Sequence, residues 1–170
     1  MNNINLFVST NNTDGFKKIG ILLQDVISNK PKGELSYKLG EVYYNDMKDY
    51  KSALAQFDIA LTSNGLSDSL KSLAQYYKMM SVYYIAISEG TSSEEAVNNL
   101  NQFISANPNT PKKAEIVLKL FDLSKLGKNE SEVLTLAMDY YEKYKELKIG
   151  DVFLYDALNI SIKKNDPKTI

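Results

Sequence analysis

Residues 39–65 of this 170-residue chain, LGEVYYNDMKDYKSALAQFDIALTSNG, decide its fold. In the second half of this stretch, small and large apolar residues share the spacing of one helix face; they are Ala53, Phe57 and Ala60. Asp49 stands before this helix as an N-cap, and the turn at 63–65 ends it. A helical pattern that begins near Gly33 leads into the stretch. The sequence here therefore predicts two helices joined by a short turn, as in an antiparallel hairpin.

Helical spacing continues along nearly the whole chain, with a possible extended stretch at 4–8. Hydrophobic residues make up 44% and charged residues 24%, as in soluble globular domains. We therefore predict an all-α fold of about eight helices in one domain, 1–170, with one continuous core. The predicted elements are an N-terminal helix at 14–28, helix hairpins at 33–64, 67–107 and 110–147, and a C-terminal helix at 151–164.

Capping signals predict where three of the later helices begin. They are the pairs Ser92 and Glu95, Thr110 and Pro111, and Asn129 and Glu132. We expect the C-terminal helix to cap the exposed end of the third hairpin with one apolar face, formed by Leu154, Tyr155, Leu158 and Ile162.

The composition argues against most catalytic chemistry. The chain has no Cys, no His and no Trp, and all 20 of its basic residues are Lys. Without Cys or His, the usual zinc, haem and iron–sulfur ligands and the common nucleophile–base pairs are missing. The adjacent carboxylates Glu94 and Glu95 lie in the first turn of a predicted helix, where a capping role is expected. We therefore predict a protein that is not an enzyme and that binds no metal or cofactor.

Charge and hydropathy limit the classes of partner. The net charge is −1, and the chain lacks Arg, the side chain best suited to bidentate contacts with phosphates and guanine, so nucleic acid is not expected as a partner. No apolar run approaches the ~20 residues of a membrane-spanning helix, so membrane insertion is not expected. The predicted location is cytoplasmic for the chain as given, or periplasmic if a signal or anchor segment was removed.

One spacing of small and large residues recurs along the chain. Its three copies are Ala53, Phe57, Ala60 and Gly65; Ala96, Leu100, Phe103 and Pro108; and, more weakly, Val133, Ala137, Tyr140 and Lys145. Together with residues upstream of the first copy, this pattern resembles a degenerate tetratricopeptide repeat (TPR). The residues that carry the resemblance are Leu39, Gly40, Tyr43, Tyr50, Ala53, Phe57 and Ala60.

The TPR resemblance implies a right-handed α-solenoid of antiparallel hairpins. Three features depart from the family pattern: Ser36 stands where the family has Trp, Gly65 stands where it has Pro, and the turn between Tyr43 and Ala53 is one residue longer. The stretch 103–145 also resembles TPR domains of bacterial cell-envelope accessory proteins.

The resemblance implies a scaffold or adaptor that binds a helix or extended peptide of a partner protein on its concave surface. The predicted partner-binding residues lie on the helices at 33–45 and 67–88, and they are Tyr37, Glu41, Tyr44, Asn45, Tyr76, Met80, Tyr83 and Tyr84. Tyr37 and Glu41 stand where carboxylate-clamp TPR domains have Lys and Asn, which disfavours a clamp for peptide C-termini.

Two alternatives remain at this stage. Most tyrosines could pack between helices, with their hydroxyls reaching water or a carbonyl group. The domain could also be a structural module that self-associates through its C-terminal helix or its N-terminal residues. We expect a monomer, because the C-terminal helix is predicted to act as a cap.

Overall fold

The computed structural model describes residues 31–90 and 94–164, together with positions 14, 17–19 and 21. These residues form helices and turns and contain no strand, so the predicted all-α class is confirmed. The right-handed solenoid arrangement stays a prediction. The α-helices from residue 31 onward are α1 (Lys32–Glu41), α2 (Tyr50–Thr62), α3 (Asp68–Glu89), α4 (Glu94–Ala106), α5 (Lys113–Lys125), α6 (Glu130–Tyr144) and α7 (Gly150–Lys164).

Some predictions fall outside the described residues. These are the extended stretch at 4–8, most of the helix at 14–28 and the capping residue Ser92.

Two of the predicted helix caps are confirmed. The Asp49 side chain accepts a hydrogen bond from the backbone N–H of Ser52 at 3.1 Å and caps α2. Asn129 and Glu132 form a complete capping box at the start of α6: the Asn129 side chain accepts from the Glu132 N–H at 3.1 Å, and Glu132 accepts from the Asn129 N–H at 2.9 Å. These caps satisfy backbone donors that have no partner within the helix.

The predicted start of α5 at Thr110 and Pro111 is wrong. The helix begins at Lys113, and its N-cap residue, Lys112, makes no capping bond with its side chain. The backbone N–H of Thr110 donates to the Asn107 carbonyl, and the Thr110 carbonyl accepts from the Lys113 N–H, both at 3.1 Å. Thr110 is therefore held in consecutive turns of the link between helices.

A π-helical segment, Val42–Met47, interrupts the helix predicted for residues 33–45. It ends at Lys48, whose φ of 54° lies in the left-handed region and closes the short link to α2. A π-helix holds more residues per turn than an α-helix. This segment therefore changes which side chains of residues 42–47 share a face.

The chain divides into two compact units, residues 1–85 and 86–170, called unit 1 and unit 2. The single domain with one continuous core stays a prediction. In unit 1, α1 packs against α2, and the three residues that predicted this hairpin are fully buried: Ala53, Phe57 and Ala60. A Cβ atom added to Gly40 would lie 2.7 Å from the Phe57 ring, so α1 approaches that ring closely because Gly40 has no side chain.

In unit 2, α6 packs against α7 around an aromatic core. The face of α7 that this core buries is formed by Phe153, Ala157 and Ser161. The prediction that Tyr155, Leu158 and Ile162 form the packed face is therefore wrong. Apolar residues occur on both sides of α7, so the helical period alone could not identify the buried side.

Candidate functional site

The predicted binding residues divide into a buried and a more accessible set. Tyr37, Tyr76, Met80 and Tyr83 are buried, and Met80 is 0% exposed. Glu41, Tyr44 and Tyr84 are half-buried, and Asn45 is exposed. Only the second set has side chains that a partner could reach without a rearrangement of the fold.

Aromatic rings form a connected row through unit 1. Each ring centroid lies 4.5 to 6.0 Å from the next, and the row runs in the order Tyr37, Phe57, Tyr77, Tyr44, Tyr84 and Tyr50. The rings come from α1, the π-helical segment, α2 and α3, so the row links all of these elements. Tilted and stacked contacts of this kind add to the stability gained by burial. We call this set the tyrosine row.

Two hydroxyl groups of the tyrosine row are held beside polar side chains of α1 and the π-helical segment. The Tyr37 hydroxyl donates to Glu41 Oε1 at 2.9 Å. The Asn45 side chain lies close enough to the Tyr77 hydroxyl to lower the pKa of Tyr77. Glu41 is therefore positioned by the tyrosine behind it, and Asn45 lies beside a second tyrosine.

Burial is the main cause of the raised pKa values in the row. It raises the pKa of Tyr37 well above the ordinary value, and the hydrogen bond to Glu41 raises it further. Burial also raises the pKa of Tyr77, and the nearby Glu41 adds to this, while the Asn45 hydrogen bond acts in the opposite direction. These hydroxyls consequently remain protonated near neutral pH.

The Tyr44 hydroxyl occupies a similar environment deeper in the row. Burial, followed by the neighbouring tyrosines, raises the pKa of Tyr44 well above its ordinary value. Tyr37, Tyr44 and Tyr77 are thus uncharged near neutral pH, and they supply polar groups without adding charge.

A surface cavity of about 370 Å³ lies along α1 and the π-helical segment. Its lining residues come from α1, the π-helical segment and the chain before α1: Lys18, Ile21, Lys38, Glu41, Val42, Asn45 and Asp46. Lys18 and Asp46 form an ion pair across it. We call this cavity the α1 groove. It joins two of the predicted binding residues, Glu41 and Asn45, into one site.

Sequence reasoning missed the other residues of the α1 groove. Lys38 could have been found, because it precedes Glu41 by three positions and shares its side of an α-helix. Asp46 could not, because an α-helical period was assumed where the backbone is π-helical. Nothing in the sequence marks Tyr77 as a partner-binding residue, since its spacing is that of the apolar residues on the buried face of a helix.

The chemistry of the α1 groove is that of non-covalent binding. It offers two cations, two carboxylates, one amide and apolar contacts from Val42 and Ile21. Within the described part of the chain, no three or more His, Cys, Asp or Glu side chains come together as a metal site would require. Of the helices that the structure describes, none has the length and apolar character needed to cross a membrane.

No protein-family model, curated protein or solved structure matches this chain. The evidence for a function therefore comes from the geometry and charges of the α1 groove.

Proposed function

We propose that this chain is a non-enzymatic interaction domain that binds a helix or an extended segment of a partner protein in the α1 groove. The observation that carries this proposal is the position of Glu41 and Asn45. Both line a surface cavity, Glu41 is held from behind by the Tyr37 hydroxyl, and Asn45 lies beside Tyr77.

The mixed charge of the α1 groove favours a protein segment as ligand. Lys18 and Lys38 are cationic, Glu41 and Asp46 are anionic, and Asn45 both donates and accepts hydrogen bonds. A polypeptide presents amide donors, carbonyl acceptors and side chains of either sign. A phosphate-rich ligand would instead select a surface of one positive sign.

The tyrosine row supports binding by keeping the wall of the groove in place. Phe57 is 0% exposed and stacks on Tyr77 at 5.6 Å, so the groups behind Asn45 are locked by packing. A rigid wall lowers the cost of ordering side chains when a ligand binds. Half-buried tyrosines such as Tyr44 and Tyr84 also resemble the residues that dominate binding energy in interfaces.

Peptide selection tests the proposal without knowledge of the natural partner. A phage-displayed library of random peptides should yield ligands for the wild-type chain. The variants Glu41→Gln and Asn45→Ala should weaken their binding by about tenfold, because the first removes a negative charge from the groove and the second removes an amide group. The matched control is Asp68→Asn, since that side chain is 99% exposed on α3 and is not part of the groove. It should change binding by less than about twofold.

Circular dichroism and melting curves would show whether each variant is folded. A library that yields no ligand would contradict the proposal. So would ligands that bind the folded Glu41 and Asn45 variants at full strength.

A further inference from the structure

The charged side chains of the α1 groove are not equivalent. Lys18 and Asp46 pair with each other. Lys38 pairs with Glu34, one turn earlier on the same helix, with 3.3 Å between Nζ and Oε1. Within the described part of the chain, Glu41 takes part in no ion pair. Its negative charge is therefore the groove charge that no described side chain neutralises.

Glu41 is held in place by a neutral group. The Tyr37 hydroxyl donates to Oε1 of Glu41 at 2.9 Å. This hydroxyl stays protonated near neutral pH because burial raises the pKa of Tyr37. It orients the carboxylate without acting as a counterion, and a carboxylate can accept further hydrogen bonds.

The surroundings of Glu41 strengthen its attraction for a cation. The side chain is half-buried beside the tyrosine row. Burial raises the pKa of Tyr37 and Tyr77, and the negative charge of Glu41 raises both further, so its field reaches two ring hydroxyls. Next to buried rings, water and salt screen a charge less than on an open surface, and an ion pair there is stronger.

An apolar side chain lines the same cavity. Ile21 is 62% exposed and faces the α1 groove together with Glu41. Lysine and arginine carry their charge on an aliphatic stem, which can cover apolar surface while the charged end stays near water. An acidic side chain would instead have to displace Asp46 or Glu34 from its lysine.

We infer that the protein segment bound in the α1 groove carries a lysine or arginine side chain, which pairs with Glu41. This preference rests on the proposed function and adds to it the charge of the ligand. Glu41 is then the residue that determines specificity, because it recognises the sign of one ligand side chain.

The composition of selected peptides gives the first test. Peptides selected from a random library on the wild-type chain should share a lysine or arginine at one position. Selection on Glu41→Lys should favour an acidic residue at that position, because the sign of the recognising charge is reversed. Melting curves would show that the variant is folded.

A double-mutant cycle measures the pairing itself. One selected peptide, and a variant of it with glutamine in place of the shared basic residue, are titrated on the wild-type chain and on Glu41→Gln. The glutamine keeps an oxygen that can accept from Tyr37 and removes only the charge. Glu41→Gln should weaken the basic peptide by about tenfold and the glutamine peptide by less than about twofold.

The matched control for the cycle is Asp68→Asn, which also removes one negative charge. The Asp68 side chain is 99% exposed on α3 and does not line the groove. This variant should change the affinity of either peptide by less than about twofold.

The outcomes separate this pairing from the proposed function. Peptides that share no basic residue, yet lose affinity for Asn45→Ala, would overturn the pairing and leave the proposed function standing. Equal weakening of the basic and glutamine peptides by Glu41→Gln would do the same. A library that yields no ligand would contradict the proposed function, and the pairing with it.

Discussion

Units 1 and 2 use aromatic residues in opposite ways. In unit 1, the Tyr37 hydroxyl donates to Glu41 at the wall of a surface groove, and Asn45 of the same groove lies beside Tyr77. In unit 2, the Tyr140 hydroxyl lies 3.1 Å from Ser124 Oγ, next to the rings of Phe121 and Phe153.

The difference shows how aromatic cores of two helix pairs can adjoin different surfaces. In unit 1 a tyrosine hydroxyl reaches the edge of the core, and the adjoining groove is polar. In unit 2 the Tyr140 hydroxyl lies beside Ser124 inside the core, and α7 exposes apolar side chains such as Tyr155 and Ile162. The predictions below test this contrast, beginning with the largest effect.

The largest effect is expected when the aromatic core of unit 1 is disrupted. Phe57→Ala should lower the free energy of unfolding by about 3–5 kcal/mol, because the ring is fully buried and joins the tyrosine row. Urea denaturation followed by circular dichroism measures the loss. Hydrogen exchange should locate the lost protection in α1 and α2. A loss below about 1 kcal/mol would show that the row is not a packed core.

Two glycine positions allow the tightness of packing in the two units to be compared. An added Cβ would lie 2.7 Å from the buried Phe57 ring at Gly40, and 3.0 Å from the half-buried Tyr141 ring at Gly150. Gly40→Ala should therefore lower the free energy of unfolding by about 1–3 kcal/mol, because the added methyl group overpacks the contact with Phe57. Gly150→Ala should change stability by less than about 1 kcal/mol, since the ring can move and alanine favours the helix. If thermal denaturation shows the same loss of stability for both variants, the two hairpins do not differ in how tightly these glycines are packed.

The smallest effect concerns alkaline pH. Burial raises the pKa of Tyr44 in the folded chain above its value in the unfolded chain, so the folded state holds the proton more tightly. The stability that depends on this proton is complete below a pH of about 10 and is lost as the pH rises further. Tyr44→Phe should reduce the slope of stability against pH above that point. The comparison with the wild type isolates the contribution of Tyr44.

Urea denaturation at a series of alkaline pH values measures the slope for this variant and for the wild type. If Tyr44→Phe keeps the wild-type slope, Tyr44 does not hold its proton more tightly in the folded chain.

Local sequence signals predicted much of the fold. The helical period predicted the fold class, and Asp49 and Asn129 predicted two helix starts, because a cap depends on residues only a few positions apart. The π-helical segment could not be predicted, because six residues are too few for a period to distinguish π from α. The helix predicted to begin at Thr110 and Pro111 begins at Lys113 instead, because residues 110–112 form turns before it.

The candidate site was harder to predict than the fold. Glu41 and Asn45, which the sequence analysis predicts as partner-binding residues, both line the α1 groove, and their role in binding stays a prediction. Met80 and Tyr83 were assigned to the surface although they are buried, because α3 carries adjacent apolar stripes and periodicity does not say which one faces water. For the same reason, the helical period did not show which side of α7 is exposed.

A peptide titration followed by ¹⁵N–¹H NMR tests the central claim most directly, which is that the α1 groove of unit 1 binds protein segments. The experiment uses a peptide selected on the wild-type chain. The amides of residues 38–46 should shift and saturate, while those of residues 151–163 stay in place. Saturable shifts at residues 151–163, with residues 38–46 unchanged, would contradict the claim.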